Sequence, residues 1–126
     1  IRLSLVGSEM CIETAVLVYV HSPTCGACAQ FDREVGAIYH KTEESALLPL
    51  QRISLEAWQD GQHDHSDCVA MPVSSTPTFV QIQDCQEIDR VTGYSDEALF
   101  WLALRRMLID WRQRLETKTQ RYESRR

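Results

Sequence analysis

The sequence predicts an α/β domain, a mixed central sheet flanked by helices, with a C-terminal helix extended beyond the usual length. Three observations carry this. A β-branched apolar run at residues 15–20 leads, through a Ser-Pro-Thr break, into a helical pattern that opens on Cys25. A second apolar run at residues 47–55 follows that helix, so the two strands are expected to be parallel neighbours joined by a right-handed crossover. Two further runs, at residues 78–82 and 87–92, flank a polar turn at residues 84–86 and precede a long amphipathic stretch, the pattern of an antiparallel hairpin followed by a helix.

In chain order, residues 1–12 open weakly. Ile1, Leu3 and Leu5 alternate with Arg2 and Ser4 until Gly7 and Ser8 break the pattern, so an edge strand or extended arm is expected. The run at 15–20 has no polar residue between Thr14 and His21 except the hydroxyl of Tyr19, as in a strand buried on both faces. From Cys25 onward, Cys28, Phe31, Val35 and Ile38 recur three or four apart, with Asp32, Arg33 and Glu34 turned to water. That helix should end around residues 40–44. Residues 56–75 are polar and contain Gly61 and Pro72, which reads as a long connection with room for one short helix. Ser95 is the expected N-cap of the last helix, with Asp96 and Glu97 in its first turn. Phe100, Leu104, Met107, Leu108, Trp111 and Leu115 form one apolar stripe along it, read as core packing. After Leu115 the run ETKTQRYESRR lacks apolar periodicity, so a frayed polar tail is expected. The reading is one domain over residues 1–112, with residues 113–126 as the end of the helix and the tail.

The chemistry centres on Cys25-Gly26-Ala27-Cys28. A sulfur at the first turn of a helix faces free backbone N–H groups and the positive end of the helix dipole, both of which favour thiolate over thiol. Cys25 is therefore the expected attacking cysteine. Cys28 stands three residues on, on the same side of the helix, within reach to close a disulfide with Cys25 and expel what Cys25 has attacked. A C-x-x-C also occurs in zinc sites, but those need a second ligand pair, and Cys11, Cys68 and Cys85 stand singly with no obvious partner. Cys11, in the N-terminal arm, and Cys85, at the hairpin tip, are read as exposed thiols. The run His63-Asp64-His65-Ser66-Asp67-Cys68 carries ligand types suited to zinc or copper. Its loop-like surroundings favour a solvated segment, so no metal is assigned. His21 is close to the dithiol in sequence and is read as a hydrogen-bonded strand end that has the option of tuning it.

Composition bounds the partners. At 126 residues with 44% hydrophobic content, the chain holds one compact core and is too short for two ordinary domains. The formal net charge of -5 supplies no basic field for nucleic acid or an anionic membrane. No apolar run approaches the roughly 20 residues that span a bilayer, so no membrane insertion of the chain is expected. Ile1 stands where a methionine would begin a complete chain, which suggests an upstream segment such as an export signal.

At Ser75-Thr76-Pro77-Thr78 the sequence gains a second signature. A proline just before the first hairpin strand, about fifty residues after a C-x-x-C, resembles the cis-proline of the thioredoxin superfamily. The resemblance spans residues 16–111. It implies that Pro77 lies beside Cys25 as part of the catalytic site and that Thr76 offers its backbone to a substrate strand. It also implies that Thr24 lines the same groove and that Gly93 leaves room on its far side. The runs STPTFV, VTGY and ALFW are most similar to the periplasmic SoxS-type thioredoxins of bacterial sulfur-oxidation clusters. The sequence departs from cytoplasmic thioredoxin at Thr24 in place of tryptophan, Ala27 in place of proline and Tyr19 in place of a buried aspartate. The 56–75 segment is also too irregular for the usual full second helix.

The resemblance implies thiol-disulfide oxidoreduction on protein disulfides, as a reductase that reactivates or keeps reduced a sulfur-oxidation partner. It implies a monomer in the periplasm with no bound cofactor, supplied by an upstream dithiol electron donor. The opposing expectation, from a different class, is a redox-sensing module that uses the Thr76, Pro77 and Gly93 groove to hold a partner without turnover.

Overall fold

The computed structural model describes residues 15–69 and 72–124. The edge strand or arm expected at residues 1–12, and Cys11 with it, lie outside the described residues. The elements are β1 (Ala15–His21), α1 (Gly26–Phe31), α2 (Glu44–Leu47), β2 (Leu50–Ser54), α3 (Leu55–Gln59), β3 (Thr78–Gln83), β4 (Glu87–Thr92) and α4 (Glu97–Ser124). The sheet order is β2-β1-β3-β4. β1 and β2 run parallel, and β1–β3 and β3–β4 run antiparallel, so the mixed sheet follows the expected pairing.

The central run of β1 is buried on both faces because alternate residues enter two cores. Leu17 and Tyr19 join Phe31, Phe79, Phe100, Leu104 and Met107 on the face covered by α1 and α4. Val18 and Val20 join Ile53, Trp58, Val73, Val80 and Ile82 on the other. The first core is aromatic: the Phe31 ring lies 4.7 Å from Tyr19, 4.8 Å from Phe79 and 5.1 Å from Phe100, all tilted or edge-on, the arrangement that ring quadrupoles favour. This packing fixes α1, and with it the dithiol, against the end of the sheet.

Five features differ from the sequence reading. The helix that starts after Cys25 is regular only to Phe31. It then widens into a π turn over Asp32–Gly36 and a 3-10 turn over Tyr39–Lys41. Consequently Ile38 is 45% exposed rather than part of the buried stripe. Asp32 and Glu34 do not merely face water: Asp32 pairs with Arg52 at 2.6 Å and Glu34 accepts the Tyr94 hydroxyl at 2.5 Å.

The N-cap of α4 is Asp96, whose carboxylate accepts the Leu99 N–H at 2.9 Å. The carbonyl of Ser95 instead takes the side-chain amide of Gln30. The same helix continues through the polar run to Ser124, because that run contains neither Gly nor Pro and is rich in Glu, Lys, Gln and Arg, which keep good helix propensity without a buried face. Lastly, Cys68 and Cys85 are bonded to each other. Neither stands singly.

Candidate active site

The dithiol is mounted on a turn. Ser22-Pro23-Thr24-Cys25 closes with the Cys25 N–H donating to the Ser22 carbonyl at 3.2 Å. Proline at the second position of such a turn supplies the φ it needs. Cys25 then stands at the N-cap of α1 in extended conformation, and its sulfur accepts the Cys28 N–H at 3.0 Å. This is one of the free backbone N–H groups at the helix start expected to favour the Cys25 thiolate. Cys25 and Cys28 form a disulfide with Cα atoms 5.2 Å apart. Cys28 is 3% exposed, whereas Cys25 is only partly buried. An incoming disulfide therefore meets Cys25 first.

The other predicted site residues gather at the same end of the sheet. Val20 pairs with Thr78 and Thr78 with Thr92, so Pro77 and Gly93 flank the end of β1 from which the chain continues to Cys25. The Thr76–Pro77 bond is cis, Pro77 is buried, and Thr76 is partly exposed. The Gly93 N–H donates to the Pro77 carbonyl at 2.7 Å, which ties the two residues directly. A Cβ on Gly93 would meet nothing within 4 Å, but its φ of +94° is the reason for glycine. Thr24 is exposed, with its hydroxyl 3.4 Å from that of Ser22.

Beneath the dithiol lies Tyr19, fully buried, whose hydroxyl donates to the Cys28 carbonyl at 3.1 Å. Burial, and then the nearby Asp32 carboxylate, push its phenol well above the ordinary tyrosine range, so the ring stays neutral. The Arg52 guanidinium sits 4.9 Å from the centre of that ring while it pairs with Asp32. His21, with its ring 5.5 Å from Tyr19, is held below the ordinary imidazole range by burial and then by Arg52. Sequence reasoning marked Tyr19 only as a replacement. Its bond to Cys28, and the Arg52–Asp32 pair beside it, depend on β1–β2 register and on the π turn, neither of which periodicity shows.

The histidine-rich loop is otherwise engaged. His63 stacks on Trp58 at 4.3 Å, His65 bonds Gln51 at 2.8 Å, and Cys68 is bonded to Cys85. Among the described residues no group of three or more His, Cys, Asp and Glu is placed to hold a metal ion. Nor is any helix among them long and apolar enough to cross a membrane.

A partly exposed cysteine at a helix N-terminus, bonded to a buried one three residues on and set at the end of a mixed sheet, defines a thiol-disulfide oxidoreductase. Residues 13–108 match the family model of the thioredoxin-like domain, and the chain belongs to that family. Among solved structures it is similar to the periplasmic thioredoxin SoxS from Paracoccus pantotrophus, with 33% identity over 73% of this chain and 93% of that one and a TM-score of 0.64. The thioredoxin of Malassezia sympodialis (19% identity, 75% of this chain and 77% of that one, TM-score 0.58) is similar in fold. So is a poplar thioredoxin h (20% identity, 80% and 83%, TM-score 0.56). Comparison with curated protein sequences gives no significant match.

Proposed function

We propose that this protein is a periplasmic protein disulfide reductase that keeps reduced, or reactivates, a sulfur-oxidation partner carrying a cysteine-linked intermediate. The observation that carries the reductive chemistry is the unequal exposure of the two sulfurs. The Cys25 thiolate attacks one sulfur of the partner disulfide, a Cys25–partner bond forms, and the partner's other sulfur leaves as a thiolate that takes up a proton. The Cys28 thiolate then attacks the Cys25 sulfur, which closes Cys25–Cys28 and releases the second partner thiol. An upstream dithiol donor returns two electrons and two protons to the pair.

Pro77, Thr76, Gly93 and Thr24 form the groove in which the partner strand lies. Support for the sulfur-oxidation setting and for the periplasm comes from the likeness to the Paracoccus protein. The test supplies the purified protein with dithiothreitol and a generic protein disulfide, and separately with a sulfur-oxidation carrier protein whose cysteine is blocked by a disulfide-bonded adduct. Turnover of both is expected. Absence of turnover on the generic substrate would make the protein a redox-sensing binding module, and turnover of the generic substrate alone would remove the sulfur-oxidation assignment.

A further inference from the structure

The Cys68–Cys85 bond lies far from the chemistry. β1 runs from Ala15, paired with Gln83 beside the hairpin tip, to His21 beside the dithiol, so the two cysteine pairs stand at opposite ends of the sheet, about 20 Å apart at the rise of a strand. They cannot exchange within one molecule. Cys85 occupies the second position of a two-residue hairpin turn, Asp84 and Cys85 having φ of +54° and +61°. Both backbone bonds between Gln83 and Gln86 are made, at 2.9 and 3.1 Å. Such a turn favours glycine at that second position, and a cysteine there is explained by its bond to Cys68.

We propose that Cys68–Cys85 is a second, structural disulfide, set in place by oxidation and left closed through every turnover of Cys25–Cys28. On its formation the two thiols give up two electrons and two protons to an oxidising protein disulfide, which becomes a dithiol. The bond closes a ring that contains β3, Thr76 and Pro77, and it pins the histidine-rich loop to the hairpin tip.

Burial does not protect it, since Cys85 is exposed and an open cleft lined by Gln86, Asp89, Asp110 and Arg114 adjoins it. Its resistance to reduction comes instead from anchoring on both sides. The Pro72 carbonyl accepts the Arg90 guanidinium at 2.8 Å, the Val73 carbonyl accepts the Gln59 amide at 3.3 Å, and β3 is paired on both edges. Once a thiol opens the bond, the released sulfur stays beside its partner and closes it again, a high effective concentration that lowers the potential. The same anchors hold the Ser75 carbonyl, which accepts the Thr78 hydroxyl at 2.7 Å, so the groove at Thr76 and Pro77 does not depend on the bond. A disulfide of this kind persists in an oxidising compartment and not in a reducing one.

Three experiments test this. In the oxidised Cys25→Ser/Cys28→Ser protein, thiol counting by mass spectrometry after alkylation should find at most one thiol per chain. Opening Cys68–Cys85 should need a dithiothreitol ratio at least about a hundredfold more reducing than opening Cys25–Cys28 in the parent chain. The Cys68→Ser/Cys85→Ser protein should keep its reductase rate within about twofold and lose on the order of 10 °C in Tm. Three results would overturn the proposal: thiols at Cys68 and Cys85 in the oxidised folded protein, reduction of both pairs at the same ratio, or an unchanged Tm. A large loss of reductase rate in a folded double variant would also overturn it, by making the bond part of the active site. Where that variant does not fold, the thiol count and the reduction ratio decide alone.

Discussion

The Tyr19 hydroxyl donates to the Cys28 carbonyl across 3.1 Å, so the central strand is fastened to the dithiol helix by a buried phenol. With its proton held this firmly, Tyr19 is a strut rather than a proton acceptor. Replacing it with Phe removes one of two donors to the Cys28 carbonyl, which keeps the Asp32 N–H, at a cost of about 1 kcal/mol. The Tyr19→Phe protein should unfold at correspondingly lower denaturant, with a reductase rate within about twofold of the parent and an unchanged pH profile. A changed profile, read by stopped-flow reduction at several pH values, would give Tyr19 a part in proton transfer.

Acid should weaken the fold through two imidazoles. His21 and His65 are both held below the ordinary range, by burial first and by a neighbouring cation or histidine second. The unfolded chain therefore binds protons that the folded one refuses as pH falls below about 6.5. Stability is complete above that value and is lost progressively as pH drops toward the folded values. Thermal melts from pH 7 downward should show a falling Tm, and His21→Gln with His65→Gln should flatten the fall. An equal fall in the double variant would assign the loss to the carboxylates instead.

The groove is tested at Pro77. It is buried and its carbonyl takes the Gly93 N–H, and the proposed function makes it part of the groove in which the partner strand lies. Pro77→Ala should lower the rate of exchange with a protein disulfide about ten- to a hundredfold, well beyond any loss of folded protein measured by circular dichroism. An unchanged rate in the folded variant would remove Pro77 from the site.

The roles of the two cysteines separate by trapping. Cys28→Ser keeps the partly exposed attacking sulfur and loses the one that resolves, so it should accumulate a stable mixed disulfide with a substrate protein on non-reducing gels. Cys25→Ser should accumulate none and show no reductase activity. The reverse result would exchange the assignments.

Much of this was legible from residue pattern. The unbroken run in β1, the parallel β2 and the hairpin all follow from periodicity and from what separates the runs. The N-terminal cysteine of the dithiol follows from the helix start. Pro77 and Gly93 were legible only by resemblance, because a proline before a strand is ordinary by itself. What escaped was set by tertiary context. The π turn after Phe31 keeps the same three-or-four spacing as a regular helix, so Ile38 looked buried. Ser95 and Asp96 are both competent caps by residue type, and in the fold the Asp96 carboxylate takes the Leu99 N–H. The pairing of Cys68 with Cys85 depends on a loop folding back to a hairpin tip, which no local spacing encodes.

The central claim is that the helix N-terminus at Cys25 acts largely alone on the reactive sulfur. Gly26 and Ala27 bring no charge, and the Cys28 N–H at the helix start donates to the sulfur. A modestly stabilised thiolate stabilises the reduced form only modestly, which keeps the potential on the order of -200 to -270 mV, that of a reductant or isomerase. Equilibrating the Cys25–Cys28 pair against glutathione, with the Cys68→Ser/Cys85→Ser protein as control, measures it directly. A value in that range is the predicted result. A value near about -120 mV, that of a strong protein oxidant, would contradict the account and reverse the direction of electron flow.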